Sequence, residues 1–327
     1  MNTFLYDSPM VTIGITCYNA EETIERAIRS ALEQTWKNSE VLVVDDASTD
    51  HSVSVVQAQI REDIRFRVLT TEENRGVAAA RNRIVSEAEG EFIAFFDDDD
   101  ISDPLRIEKQ LERSIACELE LGTKTVICHT ARLQVFPGGE QYYAPTIGTG
   151  EINALPFGVA VADQMLIGRP LPEPVAACPT CSQMARRAVY LKQGGFNESL
   201  RRSEDTDFNV RFALSGGYFA GISEPLVTQT MTFTSEKRVE EERYFAHQWL
   251  KNHQPYLDKI GWYRHAIEWL DIKFDYLSGH RKRFILRSLL LFFKFPVHTV
   301  KRLIWAWPNR EHSRKVSDWH GEHYGSP

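Results

Sequence analysis

Short apolar, β-branched runs alternate with helix-period stripes through the first 120 positions. Residues 10–17, 40–44, 65–69 and 91–96 read as strands. After the first, Ile24, Ala27, Ile28, Ala31 and Leu32 recur at helical spacing, with Asn19 as helix cap and Glu22 as its capping-box partner. Val53, Val56 and Ile60 mark the inner side of a second helix. Asn74-Arg75-Gly76 reads as a turn into a third helix over 77–87, and a fourth runs from Pro104 to about Glu120. Strands and helices in this order, with short connections, predict a parallel sheet with right-handed crossovers.

Beyond residue 123 the pattern changes. Residues 124–136 alternate enough for a strand, and Pro137-Gly138-Gly139 is a turn. Residues 148–179 are rich in Gly, Pro and Ala with little periodicity, and read as loop. Gln183 to Tyr190 leads into a Gly194-Gly195 turn, and Phe208, Phe212 and Leu214 belong to a helix opened by Glu204, Asp205 and Asp207. Residues 236–276 read as helical, with His247 and His253 as remote metal-ligand candidates. Residues 284–307 mix Leu, Phe and Trp with Arg and Lys. Their longest uncharged run, 288–293, is far short of the ~20 residues that span a bilayer. An interfacial helix drawn to anionic lipid fits this pattern, as does a helical pair packed on the core; Pro296 breaks either one.

Charge sharpens the picture. The net charge of −7 argues against nucleic acid as the main partner, yet residues 281–315 carry ten Lys or Arg against the single acid Glu311. The rest of the chain is therefore strongly acidic, a body with a basic tail. The N-terminus lacks the basic n-region of a signal peptide. Five cysteines, an odd number, then suggest reduced thiols in the cytoplasm. Cys178-Pro-Thr-Cys181 resembles half a zinc site, with Cys128 and His129 as the remote candidates to complete it.

The chemistry concentrates in Asp97-Asp98-Asp99-Asp100, directly after the fourth strand. Strand ends are where open α/β sheets bind ligands. Two carboxylates about 5 Å apart repel by roughly 3 kcal/mol at an effective dielectric near 20, so the run calls for a compensating partner. A divalent cation shared with substrate phosphates is one such partner, and a solvated acidic turn is the other reading. In a parallel sheet the same edge gathers Tyr18-Asn19 and Asp45-Asp46. The first strand–helix turn has no glycine and no P-loop motif occurs, so phosphate is not cradled by a Gly-rich loop.

Six segments, in order from about residue 10 to 225, resemble a family 2 glycosyltransferase. They are Val11 to Asn19, Glu40 to Asp50, Asn74 to Asn82, Phe95 to Asp100, Gly194 to Glu198 and Ser203 to Asp205. The resemblance implies a GT-A (Rossmann-like) α/β fold, a mostly parallel sheet flanked by helices. A catalytic domain over 1–228 would hold nucleotide with 10–122 and acceptor with 123–228, ahead of a helical extension over 229–327. It implies transfer of a sugar from a nucleotide diphosphate sugar, UDP by default, to a glycan or lipid-linked acceptor hydroxyl, with inversion. Asp46, with Asp45 beside it, would bond the nucleobase or ribose, and Arg81 would help hold the nucleotide beside Tyr18, Asn19 and Glu204. Asp97 would face the ribose and Asp99 the metal, Mn²⁺ or Mg²⁺, with Asp98 and Asp100 as alternates because the run leaves the register open. Asp205 would be the general base.

One departure separates the chain from processive synthases: Gln183-Met-Ala-Arg186-Arg187 lacks the tryptophan of their Gln-x-x-Arg-Trp motif. A single-addition transferase is expected, cytoplasmic and peripheral on the cytoplasmic face of the membrane. The competing classes are a nucleotidyltransferase on a similar sheet and a non-catalytic nucleotide-sugar-binding relative.

Overall fold

A computed structural model describes residues 8–60, 65–172, 178–231 and 239–306. They fall into two compact units, one within Met1–Val159 and Ala176–Phe233, the other within Ala160–Val175 and Thr234–Pro327.

The first unit is a nine-stranded sheet. Strands β1 (Val11–Cys17), β2 (Ser39–Asp45), β3 (Phe66–Thr70) and β4 (Phe92–Asp97) run parallel, in the order β3-β2-β1-β4. Helices α1 (Ile24–Leu32), α2 (Ser52–Gln59) and α3 (Val77–Glu87) make the crossovers. Every residue of β1 and β2 is buried, as expected of strands covered on both faces. Ile24 and Ile28 of α1 pack with Ile13, Val41 and Phe92 in the main core.

The other half-sheet changes direction. After β4 come the two-residue β5 (Ile101–Ser102), helix α4 (Arg106–Leu121) and strands β6 (Val126–Val135) and β7 (Gln141–Ala144). Helix α5 (Val159–Ile167) begins at the boundary between the units. Strand β8 (Gln183–Arg186), α6 (Arg187–Lys192), α7 (Glu204–Leu214) and β9 (Tyr218–Thr230) complete the set. β8 pairs antiparallel with both β4 and β6, β6 parallel with β9, and β9 antiparallel with β5.

The second unit holds α8 (Val239–Asn252), α9 (Gln254–Lys259), α10 (Tyr263–Leu277), α11 (Arg281–Lys294) and α12 (Pro296–Ala306). Tyr256 donates to Asp163 at 2.6 Å, and His247 Nε2 lies 2.9 Å from Asp271. Asp271 thus engages one of the two histidines considered as metal ligands, and the other, His253, is buried. The chain breaks at Phe295, with Pro296 opening α12. Residues 307–315 of the basic segment lie outside the described residues.

Four local expectations are corrected. Asn19 does not cap α1, which starts at Ile24 behind Thr23. Ile60 ends α2 and is exposed, whereas Ser52 is buried and accepts from the Ala20 amide. Residues 148–179 contain a helix, α5. The fourth helix starts at Arg106, because residues 101–102 first pair with β9.

Candidate active site

The parallel register brings the acidic strand ends to one edge. Cys17 pairs with Asp45, Thr16 with Asp97, and Asp45 with Thr70. β8 enters antiparallel beside β4, so the residues just before it, Thr180–Ser182, arrive at that same edge.

Each residue expected at the edge has a definable place. Tyr18 is exposed, and its amide donates to Asp98 Oδ2 at 3.0 Å. Asn19 takes a positive φ of 49° and ties two loops together: its amide donates to Ser48 Oγ, and its Oδ1 accepts from the Thr49 amide at 2.8 Å. Asp45 is buried and accepts from the Ser48 amide and hydroxyl. Asp46, also buried, accepts from the Arg75 amide at 3.0 Å and the Gly76 amide at 2.7 Å. It therefore fixes the turn that leads into α3.

Arg81, on α3, is buried and joins two distant motifs. It donates to Glu204 Oε1 at 2.5 Å and reaches Asp97 Oδ1 at 3.4 Å. Burial works against its charge, but Glu204, Asp97 and Asp205 outweigh this and hold it protonated. Its neighbour Asn82 donates to the Phe196 carbonyl and accepts from the Phe196 amide, pinning the Gly194-Gly195-Phe196 turn. Gly195 has φ +72°, and a Cβ there would sit 2.3 Å from Asn82 Oδ1. The three acids opening α7 have separate roles. Glu204 takes Arg81, and Asp207 pairs with Arg211 at 2.7 Å. Half-buried Asp205 accepts from the Thr206 amide.

The aspartate run has cationic neighbours that the sequence reading did not name. Arg106 is fully buried over the Phe96 ring and donates to the Phe95 carbonyl, Ser102 and Gln110. Burial pushes its pKa down to about 10, against the pull of charges that include Asp100 and Asp97. Arg26, on α1, donates to the Asp99 carbonyl and to Thr230 Oγ1. The demand for charge compensation at four adjacent carboxylates was the one sequence signal for such groups.

Even so, the edge keeps an excess of negative charge. Burial, with Asp99 and Asp97 nearby, pushes Asp98 up to about 7 despite the Tyr18 amide. Burial and the same two neighbours raise Asp100 well above the usual carboxylate range. Asp100 Oδ1 accepts from the Thr230 amide, its buried Oδ2 has no hydrogen bond of ordinary geometry, and the Cys181 thiol lies beside the carboxylate. Ligand atoms of Asp97, Asp100 and Cys181 lie within 4.8 Å of one another. The Asp97 and Asp100 oxygens fit a hard divalent cation, whereas the Cys181 thiol, which burial holds protonated, does not, and Asp99 is not in this group. Among the described residues Cys178, Cys128 and His129 join no such cluster, and all five cysteines are buried.

A parallel half-sheet with a carboxylate edge, continued by an antiparallel half-sheet that returns to that edge, is the GT-A architecture. Residues 12–119 match the family model for glycosyl transferase family 2. EpsE of Bacillus subtilis (strain 168), assigned as a glycosyltransferase, is 31% identical over 214 residues, covering 64% of this chain and 68% of that one. The chain belongs to glycosyl transferase family 2. WfgD of Escherichia coli, named as a UDP-Glc:alpha-D-GlcNAc-diphosphoundecaprenol beta-1,3-glucosyltransferase, is 42% identical over 106 residues, 32% of this chain and 41% of that one. The chain thus spans about two fifths of the length of WfgD and of several other curated relatives. Residues 1–349 of S. aureus TarS, solved with UDP-GlcNAc, share the fold at TM-score 0.56 and 19% identity, over 94% of this chain and 92% of that one.

Proposed function

We infer that this chain is an inverting glycosyltransferase that moves a sugar from a UDP-sugar to an acceptor hydroxyl during cell-surface polysaccharide or glycolipid assembly. The observation carrying this reading is the Arg81 bridge. It links the acidic strand end at Asp97 to the start of α7 through Glu204, and so brings Asp205 into the electrostatic field of that edge. The choice of UDP and of a lipid-linked acceptor rests on WfgD, whose name states both, and on TarS, solved with UDP-GlcNAc.

In this reading Tyr18 and Asn19, with Asp45 and Asp46, form the nucleoside end of the site. Asp46 orders the Arg75–Gly76 turn and offers its remaining lone pairs to base or ribose. Arg81 keeps Asp97 and Glu204 in place. Asp97 and Asp99 would hold Mn²⁺ or Mg²⁺, with Asp100 Oδ2 as a further oxygen and Asp98 beside them. When bound, such an ion supplies Lewis-acid stabilisation to the diphosphate as it leaves. Asp205 takes the acceptor proton as the acceptor oxygen bonds to the anomeric carbon and the bond to the diphosphate breaks on the opposite face. A positioned general base of this kind contributes about 10²–10⁴-fold. The chain would work on the cytoplasmic face of the membrane, where a lipid-linked acceptor is presented.

Thermal shift with UDP, GDP, dTDP and CDP, each with and without Mn²⁺, tests the donor site. A ligand at about 100 times its Kd adds about 2.7 kcal/mol to stability. A Mn²⁺-dependent rise with UDP, lost in Asp97→Ala, is expected. Folded protein that responds to none of the four would remove the reading.

A further inference from the structure

Helices α11 and α12 each carry an exposed apolar stripe. On α11, Ile285, Leu286, Leu289, Leu290 and Phe293 are all more than half exposed, Phe293 to 78%. On α12, Val297, Leu303 and Ile304 are likewise more than half exposed. Three polar groups turn the other way, toward α10, alongside the buried Leu291. Arg287 pairs with the buried Asp275 at 3.0 Å, and buried Thr299 lies 3.3 Å from His265 Nε2. Arg302 is driven down to about 10 by burial and stacks its guanidinium over Trp269 at 5.5 Å. In a surface helix the apolar stripe faces the core and the charges face water; here the water-facing stripe is the apolar one.

The exposed side chains together present on the order of 1,000 Å² of apolar surface, beyond the few hundred Å² of a typical monomer's largest patch. Residues 281–306 carry seven Lys or Arg and no acid. Arg281, Lys282 and Arg283 are exposed at one end of α11 and Lys301 on α12, with Lys294, paired to Glu268, at the other end of α11. An apolar face rimmed by cations matches the two layers of an anionic bilayer surface, acyl chains below phosphate headgroups. No helix among the described residues is long and apolar enough to cross a membrane.

We propose that the outer face of the α11–α12 pair inserts into one leaflet of an anionic membrane, with Leu289, Leu290 and Phe293 in the acyl region and the basic residues at the headgroups. This docking is monotopic. It stands on the second unit alone and holds whether or not the donor-site reading does.

The test is vesicle flotation of the full chain with phosphatidylcholine alone and with phosphatidylcholine and phosphatidylglycerol mixed at about three to one. Binding to the mixed vesicles is expected, and the apolar insertion should survive about 0.5 M salt in part, where screening removes most of the headgroup attraction. Leu289→Glu with Phe293→Glu should lower partitioning about a hundredfold or more, because two buried apolar side chains are replaced by charges. Lys282→Gln with Arg283→Gln and Lys294→Gln should lose only the salt-sensitive part. All five positions are exposed, so the variants keep the fold, which an unchanged melting temperature verifies. Absence of wild-type flotation would overturn the proposal. So would a dimer in analytical ultracentrifugation that the Leu289/Phe293 variant splits while vesicle binding is unaffected, since a second copy would then own this face.

Discussion

Arg81 Nη1 donates to Glu204 Oε1 at 2.5 Å, and the two residues are 123 positions apart. Both side chains are at most one-tenth exposed, and the same guanidinium reaches Asp97. Removing one partner of a buried pair leaves an uncompensated charge, which typically costs about 3–5 kcal/mol. Arg81→Ala should lose stability of that order in urea unfolding. Adding Glu204→Gln should restore part of it, because the orphaned carboxylate goes with it. If the double variant is as unstable as the sum of the singles, the bridge is not the coupling between these motifs.

The strands and crossovers of the parallel half were legible because their signals are local. β-branched runs bounded by polar turns mark β1 to β4, and the expected helix over 77–87 coincides with α3. Asn19 misled because a capping residue and a loop tie use the same amide side chain, and only the fold brings Thr49 to it. β5 and β9 were invisible for a related reason. Ile101–Ser102 is a strand only by pairing with Val227–Thr228, and Pro225 disguises β9, where the register against β6 shifts. The carboxylates of the edge could be picked out along the chain. Arg106 could not, since nothing in its neighbouring residues announces that it faces Asp97 and Asp100. Cys181 stands out only as half of a Cys-x-x-Cys pair, with Cys178, Cys128 and His129 as its expected partners.

Asp46 illustrates a role that a conservative change should expose. Its two oxygens accept from two consecutive backbone amides, Arg75 and Gly76. In Asp46→Asn one of those amides meets an NH₂ group instead of an acceptor, and an unsatisfied buried donor costs about 1–3 kcal/mol. The turn sets the start of α3 and therefore Arg81, so KM for the donor should rise along with the loss in melting temperature. Unchanged stability would show that the turn holds itself.

The core contains an acid-sensitive group that the proposed chemistry does not use. His129 is fully buried, stacked on Phe219, with the Cys178 backbone near its ring as a polar partner. Burial, reinforced by Arg132 and Arg106, drives its pKa down to about 3. The unfolded chain takes up this proton near pH 6.5 and the folded chain does not, so the unfolded state binds more protons between the two values. The His129 contribution is then full above about pH 6.5 and falls as pH drops, by about 2 kcal/mol at pH 5. Asp98, pushed up to about 7, works in the opposite direction over the same range. His129→Leu should gain about that amount on wild type between pH 7.5 and 5, measured as the difference between the two proteins' changes in urea midpoint. Equal losses in variant and wild type would remove His129 as the cause.

Metal binding can be assigned within the aspartate run by Mn²⁺ titration followed by electron paramagnetic resonance, with UDP present. Asp97 belongs both to the expected Asp-x-Asp pair and to the cluster with Asp100 and Cys181. Asp97→Ala is expected to abolish binding. Asp99→Ala, which removes the other expected ligand, should do the same, whereas Asp100→Ala should weaken it about tenfold or more, the range over which supporting groups tune metal affinity. Retained affinity in Asp97→Ala would place the ion elsewhere.

The sharpest prediction concerns Asp205. It stands in the first turn of α7 beside Glu204, half-buried, with Oδ1 accepting from the Thr206 amide. A helix-start carboxylate whose only task is to favour the helix dipole would contribute about 0.3–1 kcal/mol of stability and nothing to turnover. A general base behaves differently. Asp205→Asn preserves shape and the acceptor for Thr206 but cannot take the acceptor's proton, so kcat should fall about 10²–10⁴-fold. Donor binding, read by thermal shift with UDP and Mn²⁺, should stay within about twofold of wild type, because the lost interaction belongs to the transition state. The measurement is a paired one, turnover and UDP-induced stabilisation on the same preparation. Loss of both together would make Asp205 a donor-site residue, and loss of neither would reduce it to a helix-start carboxylate.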